Sequence, residues 1–413
     1  MKKTVIFLFA LVIGFTLTIS PSFAKHPKVF KLGFMTSLSG PFAAVSVTQK
    51  KGVLLKVAQI NAKGGLNMPW GKVKVKTIIK DDEIKLDVGV RRFRELVAEG
   101  INALTGTIYN PMAAALNEEC KIAKIPYLPG CVPALDSFRK GNPAIATYSV
   151  AFTPWSIGYL SGASAIKILG KKRIFYLSRS DSWGRTLHEG LKAACKEYGG
   201  KIVGFAEVPK GTVDYTSIIN NALSIKPDIF INCHFGGDAI ASLKQAYDLG
   251  LYKVCTMFNT WTTNVVAMGI PENALKGLYA LEYYYYDLAG FKDKDVVKKA
   301  EEYTKAHMKM WGEPPDAYGT IAYVATEILF QAVEKAKSFD PEKIAKVLKT
   351  SKDFSCVKGN VYFREDHQMV SKYLAFLVRG KGPGEKKNKW DVFKVEGFFG
   401  GEQALPSLKS LGY

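Results

Sequence analysis

The residues best suited to chemistry in this 413-residue chain are aromatic and small polar side chains that directly follow predicted strands. Parallel strands end at one edge of a sheet, where the free N–H groups of the next helices hold anionic or carbonyl oxygens. Each ring taken alone is equally consistent with a core residue, but together they predict a ligand-binding edge. The segments are Ser39-Gly40, Tyr109-Asn110, Gly130-Cys131, Ser182-Trp183, His234-Phe235, Asn259-Thr260-Trp261 and residues 283–286.

Sequence signatures of enzymes are incomplete. The segment from Gly65 to Lys72 resembles a phosphate loop, but its glycine spacing is wrong and Val73 replaces the Ser/Thr that would hold magnesium. There is no Gly-x-Ser-x-Gly nucleophile elbow, and the five histidines do not stand at metal-ligand spacing. His234 is the best single candidate for polar chemistry, either lining a ligand site or satisfied in the core. We therefore expect no catalytic residues, no metal and no cofactor.

The elements that must position these residues alternate between strand and helix. Apolar residues alternate with polar ones in the predicted strands and recur at helical spacing between them. The predicted strands are residues 29–34, 73–79, 103–107, 126–128, 173–177, 202–208, 228–233, 253–258, 278–286, 361–363, 372–378 and 390–395. The predicted helices are residues 45–60, 88–99, 111–124, 156–169, 185–198, 215–224, 238–249, 296–310 and 314–337, with a turn at 180–184.

Two consecutive sets of strand–helix units indicate an α/β fold with two parallel-sheet lobes and right-handed crossovers. The late strands are expected to extend an earlier lobe, so that the chain passes between lobes more than once. We predict one lobe from residues 28–148 and 283–355, and the other from residues 149–282 and 356–413.

The first 24 residues have the features of a cleavable secretory signal. Two lysines precede an apolar run at residues 5–19, and the segment closes on Ser22-Phe23-Ala24. That run is shorter than the roughly 20 residues of a membrane span. The first cysteine is Cys120, which does not support a lipid anchor. We expect cleavage after Ala24 and an exported, periplasmic protein.

Composition and charge argue against a disordered chain and against a nucleic-acid-binding protein. The chain is 47% hydrophobic and 23% charged, which is typical of globular domains rather than disordered ones. Its formal net charge is +20, but the lysines are scattered among acids and form no nucleic-acid-binding stripe. The six cysteines contain no Cys-x-x-Cys pair, and we expect at most one disulfide.

Several short motifs, in their order and spacing, resemble the type I periplasmic solute-binding proteins, in particular the leucine/isoleucine/valine-binding receptors of ABC transporters. The resemblance implies two Rossmann-like lobes joined by a three-stranded hinge, with the ligand clamped between them. It runs from about Lys31 to the last strands. The motifs are residues 37–43 (Ser-Leu-Ser-Gly-Pro-Phe-Ala), 59–65, 80–83, 125–130, Ser182-Trp183-Gly184 and 315–318.

The resemblance also implies ligand-binding positions. Asn110 occupies the place usually filled by a serine, and Cys131 falls where a small residue offers its backbone. Trp183 and Phe235 fall where aromatics line the second lobe, and Tyr318 matches a further aromatic of the binding site. The predicted ligand-binding set is Ser39, Tyr109, Asn110, Cys131, Trp183, His234, Phe235, Thr260, Trp261 and Tyr318.

Two departures from the family pattern bear on the ligand. The acid that takes the α-ammonium of amino acids aligns near Thr260, and residues 258–267 contain no Asp or Glu. The N-terminal aromatic expected about five residues after Gly40 is Val45. These departures favour an aromatic or aliphatic carboxylate, or an amide, over an α-amino acid.

The leading hypothesis is a periplasmic receptor that delivers a small polar organic solute to an ABC permease by hinge closure, most simply as a monomer without nucleic-acid partners. A ligand-sensing module for a chemoreceptor or signalling kinase is the alternative. An exported α/β hydrolase would need a nucleophile and a base that the sequence does not offer.

Overall fold

The computed structural model describes residues 27–130 and 147–413. The predicted signal peptide and Cys131 lie outside the described residues. The strands are β1 (Val29–Thr36), β2 (Leu66–Met68), β3 (Gly71–Asp81), β4 (Ala103–Gly106), β5 (Tyr127–Pro129), β6 (Arg173–Arg179), β7 (Lys201–Val208), β8 (Ile229–Asn232), β9 (Thr256–Asn259), β10 (Tyr279–Glu282), β11 (Phe354–Cys356), β12 (Gly359–Phe363), β13 (Met369–Ser371), β14 (Ala375–Gly380) and β15 (Phe393–Phe399).

The helices separate most of these strands in the α/β order that the sequence predicts. They are α1 (Ala43–Ala62), α2 (Leu86–Ala98), α3 (Asn110–Ala123), α4 (Pro154–Ala163), α5 (Ser182–Tyr198), α6 (Thr216–Ile225), α7 (Gly237–Asp248), α8 (Asn264–Gly269), α9 (Glu272–Leu275), α10 (Lys294–Trp311), α11 (Ala317–Ala336) and α12 (Pro341–Thr350).

Two sheets dominate the described fold. The first has the strand order β2-β3-β1-β4-β5 and is parallel except for the β2–β3 pair. The second has the order β15-β14-β10-β9-β8-β6-β7, with β6 to β10 parallel and β14 and β15 added antiparallel. The late strands β14 and β15 thus extend an earlier sheet, as expected from the sequence. A small antiparallel sheet, β11-β12-β13, completes the architecture.

Helices α10 and α11 return to the first sheet, where both contact α1. The helices α1 and α11 approach closely at two glycines: a Cβ at Gly52 would overlap the backbone carbonyl of Gly319. Only the absence of a side chain permits such a contact. This packing fixes the N-terminal end of α11, and with it Tyr318, beside the first sheet.

Three chain segments meet between the two sheets. Ser149 forms a β-bridge with Gln368, whose Nε2 also donates to the Ala151 carbonyl at 2.5 Å. The Tyr283 hydroxyl donates to the Val150 carbonyl at 3.0 Å. Residues 147–152, the segment after β10 and the β12–β13 hairpin therefore hold one another where the chain passes between the sheets.

Several elements differ from the sequence-based expectation. The strand predicted for residues 278–286 ends at Glu282, because Tyr283, Tyr284 and Tyr285 are fully buried in core packing instead of continuing the sheet ladder. The predicted turn at 180–184 is already helical from Ser182, because the Asp181 carboxylate accepts from the Gly184 N–H at 3.1 Å and caps α5. Helix α12 was not predicted, although Asp340 followed by Pro341 is a helix-start signal.

The described cysteines Cys120, Cys195, Cys233, Cys255 and Cys356 are all free and buried. Burial raises the pKa of each of their thiols, to about 11 for Cys195 and Cys233. They are therefore small core residues rather than reactive groups.

Candidate functional site

The carboxyl ends of the two sheets enclose a cavity of about 370 Å³. The segment after β1, the loop after β4 and the start of α3 form one side, the segments after β6, β7, β8 and β9 form the other, and the start of α11 contributes one ring. Its lining residues are Phe42, Ile108, Tyr109, Asn110, Pro111, Arg179, Asp181, Ser182, Trp183, Lys210, Phe235, Trp261 and Tyr318. Six of the ten predicted ligand-binding residues therefore line one cavity: Tyr109, Asn110, Trp183, Phe235, Trp261 and Tyr318.

Trp261 is the central ring of this cavity. Its ring centre lies 4.7 Å from that of Tyr318 and 5.4 Å from that of Phe235. Phe152 packs edge-on against it at 5.2 Å, and Trp183 lies 6.4 Å away. Flat rings at these separations present a continuous apolar wall to a ligand, with geometry fixed by ring-to-ring packing.

Trp183 is held in place by the loop that begins α5. Asp181 caps the helix through the Gly184 N–H, and its other carboxylate oxygen accepts from Arg179 Nε at 2.6 Å. The Trp183 indole N–H donates to the Cys233 carbonyl at 3.2 Å, at the end of β8. Two strand ends therefore fix the ring, which presents its remaining surface to the cavity.

The charged groups of the cavity wall are mainly cationic. Arg179 uses Nε for Asp181, and within the described residues its two terminal nitrogens make no hydrogen bond. The Lys210 ammonium lies 4.5 Å from the ring centre of Phe42, and no carboxylate in the described ranges pairs with it. Asp181 is the one acid of the lining, and both of its oxygens are engaged. An anionic ligand group would therefore meet free donors.

Asn110 begins α3 on the opposite wall. Its side-chain oxygen is buried and has no hydrogen-bond partner among the residues described. Pro111 follows it and has no N–H to donate, so the Asn110 amide is a polar group that this helix start leaves available. Tyr109 precedes the helix in an extended conformation and lines the same cavity.

Three predicted residues do not line the cavity. Ser39 is exposed before a short 3-10 turn (Gly40–Phe42), and Phe42 contributes the ring on this side. His234 is fully buried, with Nδ1 2.8 Å from Asn232 Oδ1, and burial lowers its pKa to about 4. Thr260 is buried, and its backbone N–H donates to the Asn232 carbonyl at 2.9 Å. Cys131, the tenth predicted residue, lies outside the described residues.

Seven lining residues are outside the predicted ligand-binding set: Phe42, Ile108, Pro111, Arg179, Asp181, Ser182 and Lys210. Phe42 is two residues after Gly40 rather than five, and Val45 is buried in α1. Arg179 is the last residue of β6, which extends two residues beyond the predicted strand. The sequence signal for Asp181 was its cap position before α5.

Two buried acids lie behind the ring wall. Glu282 ends β10 with both carboxylate oxygens lacking a hydrogen-bond partner in the described ranges, and burial raises its pKa well above the usual range. Asp316 caps α11 by accepting from the Tyr318 N–H at 2.9 Å, and burial raises its pKa too.

Comparison with known proteins agrees with this two-sheet geometry. The chain matches the periplasmic binding protein family over residues 29–383. The chain belongs to the periplasmic binding protein family. A relative, Leu/Ile/Val-binding protein homolog 7 from Brucella suis biovar 1 (strain 1330), is 23% identical over 334 residues, which cover 77% of this chain and 80% of the relative.

Solved structures share the fold of this periplasmic binding protein. An amino acid ABC transporter substrate-binding protein from Pseudomonas fluorescens Pf-5 has a TM-score of 0.83 at 20% identity, covering 93% of this chain and 98% of its own. A solute-binding protein of an ABC transporter from R. palustris, in complex with benzoate, has a TM-score of 0.74 at 19% identity, covering 92% and 97%. The fold is therefore that of the type I periplasmic binding proteins.

Membership of the family implies a periplasmic location and a solute-binding role. Among the helices in the described ranges, none combines the length and the apolar character needed to cross a membrane. Larger depressions of about 760 and 590 Å³ lie elsewhere on the periplasmic binding protein. They do not contain the strand-end residues of both sheets, which identifies the 370 Å³ cavity as the candidate ligand site.

Proposed function

We propose that this periplasmic binding protein is the substrate-binding component of an ABC transporter of the branched-chain amino acid type. We further propose that its ligand is a small carboxylate with a ring or apolar chain and without an α-ammonium group. The observation that carries the proposal is one cavity between the ends of two sheets, walled by rings and supplied with the free guanidinium nitrogens of Arg179.

The cationic side chains of the cavity wall support a carboxylate group on the ligand. Arg179 presents planar donors whose spacing matches the two oxygens of a carboxylate. Lys210 adds a second cation at the same cavity, and Asn110 adds an amide from the other side. The ring wall suits an apolar body, and a volume of about 370 Å³ falls in the range of small-molecule sites.

The cavity wall has no available carboxylate to pair with an α-ammonium group, which supports a ligand without one. Asp181 is already occupied by Arg179 and by the helix cap, while Glu282 lies behind Trp261. An ammonium enclosed without a carboxylate loses several kcal/mol of hydration that nothing in the wall restores. A carboxylate without this group avoids that penalty.

Closure of two lobes around the ligand would provide capture and release. The proposed lobes are residues 28–148 with 283–355, and residues 149–282 with 356–413. Phe42 and Asn110 belong to the first, whereas Trp183 and Phe235 belong to the second. A ligand that touches both lobes stabilises the closed form by its differential contacts. The junction of Ser149, Gln368 and Tyr283 supplies the hinge.

The remaining features follow from the same role. Export would proceed by signal cleavage after Ala24, without a lipid anchor. The mature protein would be a monomer that binds no nucleic acid, carries no cofactor, catalyses no reaction and contacts its permease transiently at the inner membrane.

The decisive experiment is calorimetry of the purified mature protein with matched ligands. Leucine is compared with 4-methylpentanoate, its analogue without the amino group, and benzoate with benzamide. We expect the best carboxylate to bind with micromolar or tighter affinity, and leucine, isoleucine and valine to bind more weakly. Micromolar or tighter binding of leucine without binding of 4-methylpentanoate would refute the proposed ligand class.

A further inference from the structure

A group of buried polar atoms without partners lies directly behind the ring wall. It comprises the Trp261 indole nitrogen, the Asn264 side-chain oxygen and both carboxylate oxygens of Glu282, here called the Glu282 cluster. Within the described ranges none of them lies at hydrogen-bond distance from a partner, although the Trp261 indole and the Tyr283 N–H both act on the Glu282 carboxyl. Glu282 is fully buried and Trp261 is 1% exposed. Native proteins rarely leave several such atoms together unpaired, because each loses its hydration without compensation.

Strand register brings the members of the cluster together. Strands β9 and β10 run parallel with Ala280 opposite Asn259, and beyond β9 the Thr262 N–H donates to the Leu281 carbonyl at 3.3 Å, which brings Trp261 next to Glu282. The indole N–H of Trp261 acts on the Glu282 carboxyl and lowers its pKa against the larger effect of burial. The cluster is thus a consequence of the sheet itself.

The cluster borders the ligand cavity. Trp261 and Tyr318 line that cavity with their ring centres 4.7 Å apart. Asp316, two residues before Tyr318, accepts from the Val265 N–H at 3.2 Å and raises the pKa of Glu282 by its charge. Trp261 therefore belongs to both sites: its ring lines the cavity, and its indole N–H acts on the Glu282 carboxyl.

The chemistry of the cluster suits an uncharged donor. Burial and the neighbouring Asp316 both favour the neutral form of the Glu282 carboxyl, which offers one donor and one acceptor. The Lys358 amine packs 4.2 Å from the ring centre of Tyr283, the next residue, and bonds to the Tyr283 carbonyl. A basic group already occupies this region, which disfavours a second cation. A hydroxyl can donate to and accept from the same carboxyl.

We propose that the Glu282 cluster binds an uncharged hydroxyl group of the ligand, at the end opposite to its carboxylate. This inference rests on the proposed function, since it requires the carboxylate to meet Arg179. The guanidinium of Arg179 lies 5.7 Å from the ring centre of Trp183, and the Trp183 and Trp261 rings are 6.4 Å apart. A series of contacts thus runs from Arg179 through Trp183 and Trp261 to Glu282, and the ligand class that would span it is a hydroxy-carboxylate with a single ring.

Wild-type calorimetry with four probes gives the first test: benzoate, 4-hydroxybenzoate, 4-methoxybenzoate and 4-(aminomethyl)benzoate. We expect 4-hydroxybenzoate to bind about five- to tenfold more tightly than benzoate, as one buried hydrogen bond provides. The methoxy probe, which has no O–H, and the ammonium probe should show no gain over benzoate. Equal affinities for benzoate and 4-hydroxybenzoate, or a gain with the ammonium probe, would overturn the proposal.

Two substitutions then locate the effect. Glu282→Gln keeps a donor and an acceptor and should preserve the preference for the hydroxyl probe. Glu282→Met removes both and should bring the affinities for benzoate and 4-hydroxybenzoate within about twofold of each other. Glu327, a helix α11 acid that also has an unpartnered oxygen, provides the matched control as Glu327→Met.

The outcomes separate this proposal from the one on which it rests. If benzoate and the other carboxylates fail to bind the wild type, the proposed ligand class and the hydroxyl site fall together. If they bind but the hydroxyl preference persists in Glu282→Met, only the assignment to the Glu282 cluster is wrong. The wild-type probe series decides the hydroxyl gain even where Glu282→Met does not fold.

Discussion

The guanidinium carbon of Arg179 lies 5.7 Å from the ring centre of Trp183, and Asp181 joins the two. The carboxylate accepts from Arg179 Nε at 2.6 Å and from the Gly184 N–H at 3.1 Å, in the first turn of the helix that carries Trp183. The short segment from Arg179 to Gly184, at the end of β6, therefore positions both the guanidinium group and the tryptophan ring of the candidate site. Gly184 permits this tight start, because a Cβ there would overlap the Arg179 carbonyl.

Replacement of Arg179 by Gln tests the proposed anion contact. Affinity for a bound carboxylate should fall about 10- to 100-fold, because a hydrogen-bonded charge pair is lost. Calorimetry with the acid and its amide measures the effect, and the amide should lose much less. Arg185→Gln, on the exposed face of the same helix, is the control and should leave binding unchanged. Equal losses for acid and amide would contradict a charge-specific role.

Replacement of Trp183 by Ala tests the ring wall. The ring is 7% exposed and faces the cavity, so that its removal should weaken binding by roughly 2–4 kcal/mol if it anchors the ligand. Titration calorimetry and thermal melting are measured together. Trp390→Ala, in a loop outside the cavity, should leave affinity unchanged. A lower melting temperature with unaltered affinity would mean that Trp183 is a core residue only.

His234 should make stability depend on pH. Its pKa in the folded state is lowered to about 4 by burial, against 6.5 in the unfolded chain. Between these values the unfolded state binds more protons, so that stability is complete above pH 6.5 and is lost as the pH falls toward 4. The loss should be on the order of 2–3 kcal/mol. Urea unfolding of the wild type and His234→Gln across this range measures it, and parallel curves would contradict the prediction.

The mature protein should begin at Lys25. Cleavage after Ala24 follows from the charged start, the short apolar run and the small residues at its end. Intact-mass spectrometry of protein recovered from the periplasm tests this directly. Retention of Met1 in a membrane fraction would exclude the soluble-receptor interpretation.

Much of the fold followed from the sequence because periodicity and breakers are local signals. The alternation in residues 73–79 and the helical spacing in residues 185–198 predicted β3 and α5, with errors confined to their ends. Trp183 and Phe235 could be placed at a common edge for the same reason. Parallel strands bring their carboxyl ends together, so that a residue's position along its strand predicts its neighbours.

For the tyrosines at 283–286, position after a strand did not predict whether the rings face the cavity. They follow a strand just as Trp261 does, yet Tyr283, Tyr284 and Tyr285 are fully buried, and Tyr285 donates to Asp391 Oδ1 at 3.2 Å. Their partners are distant in the chain, and no local pattern distinguishes a ring that faces a cavity from one that faces the core.

The sequence by itself determined the α/β class, the order of strands and helices around the site, and the lack of an acid at residues 258–267. Only the tertiary structure decided which of these groups share a cavity. It placed Phe42, Arg179 and Lys210 in the wall, kept His234 and Thr260 out of it, and set Glu282 behind Trp261. Those outcomes depend on the register of strands and on the packing of segments far apart in sequence, which are fixed by long-range contacts rather than by local preference.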